Sequence, residues 1–234
     1  MNNKRGFWIG GKHSVESVIK KNKRTIIQIV TLQPNEFLNK KNINYEIKND
    51  KFFNKIFAKT NIAHQGIAAM VSTLPNVQIE DISEDKNIVM LDGITDPMNI
   101  GSIIRNCIAF GIKSIIVRDR EFNEKSVAMI KASSGTIEEI QICQVANLNN
   151  AINQLKEKNY WVVCLDSHSE QAIENFKWNE KNLIIFGSEG YGISHLIKKN
   201  ADYRIKISIE HNVESLNVSN AAAITLYHIF NSNK

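Results

Sequence analysis

From residue 88 onward the chain alternates short apolar runs with stretches of helical length, and that alternation leaves few folds open. The runs at 88–91, 114–117, 137–143, 161–165, 183–186 and 203–209 read as strands, and the stretches at 99–110, 123–132, 148–157, 194–199 and 216–230 read as helices. Strands this uniformly apolar are buried on both faces, so the pattern calls for a mostly parallel sheet covered by helices on either side. A smaller alternation precedes it: helix at 12–21, strand at 25–32, helix at 35–39, strand at 44–47, helix at 50–59 and strand at 66–72. Between the two lies LPNVQIEDISEDK, residues 74–86, where Pro75 and a run of acids break the pattern. The fold class expected is α/β, with a small N-terminal α/β domain over 1–75, a linker over 76–86 and a C-terminal α/β domain over 87–234.

Charge is divided along the same line. The first 80 residues hold 13 Lys and Arg against 5 Asp and Glu, whereas the remainder holds 16 against 19. A basic amino-terminal third on a mildly acidic body suits contact with a polyanion; a lysine-rich solvated surface is the plainer alternative. No apolar run approaches the roughly 18 residues of a membrane helix. The opening MNNKRGFWIGGKHS has no apolar core of a secretion signal, so a cytoplasmic location is expected. Cys107, Cys143 and Cys164 form no CxxC pair, which points to small buried hydrophobes and to no metal site.

Three stretches are not plain scaffold. In LDGITDPMNIGSIIRNCIAFG, residues 91–111, Asp96-Pro97 makes a turn, Asn99 can cap the following helix, and Arg105 sits within an otherwise apolar helix. An arginine so placed either snorkels to a surface ion pair or points into a polar pocket. In NLIIFGSEGYGIS, residues 182–194, a strand runs into Gly187, Gly190 and Gly192 around Glu189. The order is GxxGxG, not the GxGxxG of a dinucleotide site, and the acid would repel phosphate; a ligand other than a nucleoside polyphosphate is favoured, beside the bland reading of a turn that needs glycine for its geometry. In ESLNVSNAAAITLYHIF, residues 214–230, an apolar helix opens with Ser215, Asn217, Ser219 and Asn220, more polar groups than one cap requires. All three follow strands, and in a parallel sheet such ends share one edge, where ligands gather.

The three stretches DPMNIGSIIRNCIAFG, IIFGSEGYGIS and VESLNVSNAAA, in that order, resemble the motifs of the SpoU branch of the SPOUT RNA methyltransferases. GGKHSVESVIKK and HQGIAAMVS resemble the substrate-binding domain of the same proteins, so the likeness covers nearly the whole chain and is best with members that methylate a guanosine ribose in large-subunit ribosomal RNA. The resemblance implies transfer of the methyl group of S-adenosylmethionine to a ribose 2′-hydroxyl, a homodimer, and a trefoil knot in the C-terminal domain. Carried onto this sequence, it makes Asn99, Arg105, Glu189, Ser215 and Asn217 the catalytic group. It sets Gly187, Ile207 and Leu216, with Ser215 and Asn217, around the cofactor. Ser208 and His211 depart from the family pattern, so the loop 208–213 is expected to differ in shape. On the basic side, Lys12, Lys20, Lys21, Lys23 and Arg24 are the expected phosphate contacts. Trp8 in the basic tail is the tryptophan best placed to stack a base; Trp161 and Trp178 read as packing, and His13 and His64 as loop hydrogen-bonders. A transfer-RNA ribose methyltransferase, a resistance-type ribosomal methyltransferase and a non-catalytic RNA-binding protein on the same scaffold stay open.

Overall fold

The structure, a computed structural model, describes residues 6–58, 63–210 and 212–232. His211 and Lys59, named in the expectations above, lie outside the described residues.

The amino-terminal part is β1 (Phe7–Gly10), α1 (Lys12–Lys21), β2 (Ile26–Thr31), α2 (Glu36–Lys40), β3 (Glu46–Ile47), α3 (Asp50–Phe57) and β4 (Ile67–Val71). Asn35 and Asn49 start α2 and α3 by accepting the backbone N–H groups of Leu38 and Phe52 at 3.1 Å each. The four strands pair in the order β1-β4-β2-β3, antiparallel except for β2 with β3. One face of this sheet buries Val15, Val18 and Leu38, and the other buries Phe53 and Phe57 of α3.

The second part begins at α4 (Ile79–Ile82) and continues through β5 (Asn87–Asp92), α5 (Pro97–Ala109), β6 (Ser114–Arg118), α6 (Val127–Ser133), β7 (Gln141–Val145) and α7 (Leu148–Lys156). It closes with β8 (Trp161–Leu165), β9 (Asn182–Gly187), α8 (His195–Asn200), β10 (Tyr203–Ile205) and α9 (Val218–Ser232). All six strands are parallel, in the order β10-β8-β9-β5-β6-β7. Leu91, Ile103 and Leu226 fill one side of the sheet, and Met90, Leu155 and Ile185 the other. The three cysteines are buried in these layers; burial pushes the Cys143 thiol up to about 11 and Cys164 up to about 12. Gly101 lets α5 and α6 touch: a Cβ there would lie 2.4 Å from the Met129 carbonyl oxygen.

Several elements differ from the sequence pattern. Residues 76–86 were expected as a linker, yet Ile79 and Ile82 of α4 are buried against the second sheet. The strand expected over 137–143 is a 3-10 turn at Thr136–Glu138 followed by β7, because Glu138 is drawn out of the sheet toward the first domain. The strand expected over 203–209 stops at Ile205; Lys206 leaves β8 and its N–H bonds Gln171 instead. The cap of α5 is Asp96, which accepts from Met98 N at 3.0 Å, and not Asn99.

The two parts are joined through a seam that corrects part of the expected RNA surface. Arg24 donates from Nε to Glu138 at 2.9 Å with both side chains nearly sealed, 1% and 3% exposed. Lys23 Nζ donates to the Glu139 carbonyl at 2.8 Å, and Lys21 pairs with the Glu139 carboxylate at 2.8 Å. Ser17 Oγ donates to Gly135 O at 2.7 Å. Arg24 and Lys23 are therefore committed to the protein's own second domain and are not phosphate contacts, and Lys21 is neutralised; Lys12 and Lys20 remain exposed, Lys20 beside Glu16. Burial pushes the Glu138 carboxyl up, offset by Arg24, and pulls the Lys23 ammonium down. Removing one partner strands the other charge. Arg24→Met or Glu138→Leu alone is expected to cost about 3–5 kcal/mol in urea unfolding, and the double variant to recover most of it.

Candidate active site

The carboxyl ends of β5 and β9 lie side by side, with Asp92 in register with Gly187. Asp92 is buried at 4% exposure, and its two oxygens do different work. Oδ2 accepts the Ser194 N–H at 2.7 Å, which pins the far side of the glycine loop, and Oδ1 pairs with Arg118 at 3.1 Å at the end of β6. Arg118 also holds Glu121 at 2.7 Å, whose carboxylate accepts the Gly93 N–H at 3.2 Å.

The glycine loop folds back on itself as Ser188 and Gly192 exchange backbone hydrogen bonds, N–H to O at 3.2 and 2.9 Å. Its glycines act differently. A Cβ on Gly187 would lie 2.2 Å from the Gly192 carbonyl carbon, and Gly192 has a positive φ of 64°. Gly190 faces open space. Glu189 is thereby carried to a point where two amides reach it. Asn99 Nδ2 donates to Glu189 Oε1 at 3.0 Å, and Asn217 Nδ2 donates to the same oxygen at 2.6 Å. Asn217 Nδ2 also donates to Asn99 Oδ1 at 3.0 Å, closing a triangle between the three stretches singled out in the sequence.

The polar opening of α9 now has an explanation. Asn217 Oδ1 accepts from the backbone and the hydroxyl of Ser219, at 2.9 and 2.6 Å, so it caps the helix while its amide serves the triangle. The Ser219 carbonyl accepts from Asn106 Nδ2 at 3.1 Å, which ties α9 to α5. Asn106 is a site residue the sequence reading passed over; its spacing of seven from Asn99, two helical turns, was the available signal.

Next to the triangle is a cavity of about 570 Å³. Four of the expected cofactor residues, Gly187, Ile207, Ser215 and Leu216, line it together with Glu189; Asn217 stands just outside the lining. Asp166, His168 and Lys198 line it too and were not anticipated. Burial alone would raise the Asp166 carboxyl, but its 2.9 Å pair with Lys198 and the His168 N–H hold it below the ordinary aspartate range. Apolar wall comes from Leu165, Phe186 and Ile209. Mixed polarity, a backbone approach that only glycine allows and this volume fit a nucleoside with an amino-acid tail such as S-adenosylmethionine. Ser208 bonds Glu174 at 3.2 Å, outside the lining.

Arg105 is not part of this constellation. It is exposed on α5, lines no part of the cavity, and among the described residues makes no hydrogen bond or ion pair. Among the described residues no group of three or more His, Cys, Asp or Glu is arranged to hold a metal ion, and no helix is long and apolar enough to cross a membrane.

Comparison with known proteins agrees with this layout. Residues 86–227 match the SpoU rRNA Methylase family, and residues 8–77 match the family of RNA 2′-O ribose methyltransferase substrate binding. The chain is 31% identical over 239 aligned residues to a protein of Staphylococcus aureus described as a TrmH-family tRNA/rRNA methyltransferase, covering 95% of this chain and 94% of that one. The Bacillus subtilis protein YacO, described in the same terms, is 33% identical over 71% of this chain and 70% of its own. In fold, the chain is similar to the SpoU methyltransferase AviRb from Streptomyces viridochromogenes, solved in complex with AdoMet (TM-score 0.86, 19% identity, 98% of this chain and 91% of that one). It is also similar to an AdoMet-bound rRNA methyltransferase from Sinorhizobium meliloti (TM-score 0.78, 21% identity, 96% and 86% covered).

The glycine loop gives a paired test. Gly187→Ala drives a methyl group into backbone and is expected to destabilise by about 1–3 kcal/mol. Gly190→Ala, with nothing within 4 Å of the new Cβ, is expected to stay within about 0.5 kcal/mol of wild type in the same urea titration.

Proposed function

The chain belongs to the SpoU rRNA methylase family, as an S-adenosylmethionine-dependent RNA methyltransferase, and from that premise we propose that it methylates a ribose 2′-hydroxyl, most readily a guanosine of large-subunit ribosomal RNA. The single observation that carries the site assignment is the triangle of Asn99, Glu189 and Asn217 at the mouth of a cavity with a glycine wall. Residues 1–75 grip the RNA, 76–86 connect the two parts while α4 packs on the second sheet, and 87–234 hold the reaction. The strand order, with β9 inserted between β8 and β5, and the return of α9 against α5 support a knotted C-terminal domain.

S-adenosylmethionine supplies an activated methyl group when bound, so the protein's share is alignment and charge handling. Gly187, Ile207, Ser215 and Leu216, which line the cavity, would hold the donor. Asn99 and Asn217, fixed by the Glu189 carboxylate, keep their amides in one orientation as the ribose approaches; alignment of this kind lowers a barrier by several kcal/mol, up to about 7–11 kcal/mol in the best cases. Arg105 is exposed on α5 outside the cavity, so its role is to hold a substrate phosphate at the approach to the site rather than to line the cofactor pocket.

Arg105 lies one heptad from Met98, on the same exposed face of α5, and Met98 is 63% exposed. Ile224 and Tyr227 of α9 are also exposed apolar groups. This face suits a homodimer, whose formation would enclose Arg105 and exclude water around it. A transfer-RNA substrate is the second reading, favoured by the tRNA/rRNA description shared by the relatives.

The test is a map of 2′-O-methylation in ribosomal and transfer RNA from cells with and without the gene. One ribosomal site is expected to disappear, to return with wild type and to stay absent with Arg105→Ala. That variant alters an exposed side chain and is expected to fold normally, with turnover reduced by about 10²–10³. Loss at a transfer-RNA position instead would move the substrate, and full activity of Arg105→Ala would remove the arginine from the reaction. Ile224→Asp combined with Tyr227→Asp is expected to halve the mass seen by light scattering.

A further inference from the structure

A second cavity, about 180 Å³ in volume, lies on the seam between the domains, away from the glycine loop. It is walled by Trp8 of β1, Ser14 of α1, Gln65 before β4, and Val127, Ile130 and Lys131 of α6. Resting on the reading of the protein as an RNA methyltransferase, we propose that this cavity receives one unstacked base of the RNA substrate.

The walls suit a base. Trp8 is held edge-on by Phe52, with ring centroids 5.8 Å apart and planes at 85°, which leaves an indole fixed in the wall of a mostly apolar slot. Unpaired RNA bases are recognised in this way, by insertion against an aromatic side chain with a few polar groups for the base edge. Those groups are present. Ser14 is 9% exposed, and its hydroxyl has no hydrogen-bond partner among the described residues. A hydroxyl left unmatched at the wall of a cavity is a ready donor or acceptor for a ligand edge. Gln65 has its carbonyl oxygen fixed by Lys12 N at 3.0 Å, which leaves its amide N–H groups for an acceptor.

The rim suits the backbone that such a base carries. Lys131 and His13 are exposed cavity residues, and Lys12 is exposed between the lining residues Gly11 and His13. Lys12 and Lys131 make no ion pair among the described residues, whereas Lys21 and Arg24 are ion-paired and Lys23 donates to the Glu139 carbonyl, so the charge of Lys12 and Lys131 is available to flanking phosphates. The surrounding first 80 residues carry a large excess of Lys and Arg over Asp and Glu. Residues from both domains build the slot, so a base seated there fixes the RNA relative to α6 and, through the close contact at Gly101, relative to the helix that bears Asn99 and Arg105.

The full-length protein is cross-linked by ultraviolet light to ribosomal RNA carrying 4-thiouridine, and the attached peptides are mapped by mass spectrometry. Cross-links are expected within residues 6–14 or 127–134, and to fall about tenfold in both Trp8→Ala and Lys131→Glu. Lys131→Glu changes an exposed, unpaired side chain, so it decides the matter even if Trp8→Ala folds poorly. Cross-links confined to other peptides, or undiminished in Lys131→Glu, overturn the proposal. Titration of S-adenosylhomocysteine into the same proteins is a separate readout. Unchanged cofactor affinity in the variants is expected, and a wild type that binds no cofactor overturns the methyltransferase reading without touching the cross-link map.

Discussion

The buried carboxylate of Asp92 is the point from which the site is hung. It ends the central strand β5, and its two oxygens are taken by Arg118 at the end of β6 and by the Ser194 N–H on the far limb of the glycine loop. A carboxylate so nearly excluded from water persists only if both oxygens are matched. That requirement fixes three chain segments at the same edge of the sheet. The glycine loop then has one way to close, with Gly187 against Gly192, and Glu189 is delivered to the two asparagines as a consequence. The triangle therefore inherits its geometry from a residue that takes no part in it.

Much of this was legible in the sequence because the signals were strong and local. The parallel sheet follows from runs such as 183–186 that carry no polar residue, and α1 follows from the spacing of Val15 and Val18. The convergence of Asn99, Glu189 and Asn217 follows from their positions just after strands of one parallel sheet. What escaped the pattern was set by long-range demands. β1 is four residues in a basic segment and exists because β4 offers it an edge. Glu138 sits in a run that alternates like a strand, but an ion pair across the seam holds it in a turn. Charge counting likewise marked the amino-terminal domain as basic without distinguishing Lys12, exposed and unpaired, from Arg24, which is spent inside the protein. Arg105 shows the same limit in the other direction: the family likeness pairs it with Asn99, whereas six residues of helix set it about 120° around α5 from Asn99, on an exposed face away from the triangle.

The seam itself carries the last step. An apolar contact would have held the domains together with less demand on geometry, because buried ion pairs return little net stability over apolar replacements. What the Arg24–Glu138 pair adds is register, since a guanidinium and a carboxylate sealed from water tolerate little displacement. Around it the contacts are equally intolerant: Gly135 has a positive φ of 90°, and a Cβ there would lie 2.8 Å from Ser17 Cβ. Beyond the seam, α6 packs on α5 through Gly101 without room for a methyl group. The domain that matches the substrate-binding family is thus connected to the helix bearing Asn99 by contacts that each permit one arrangement. For a reaction in which the donor is already activated, distance and angle are what a protein has left to supply. A buried charge pair and two glycines that hold the amino-terminal domain at a set distance from the Asn99–Glu189–Asn217 triangle suit that task.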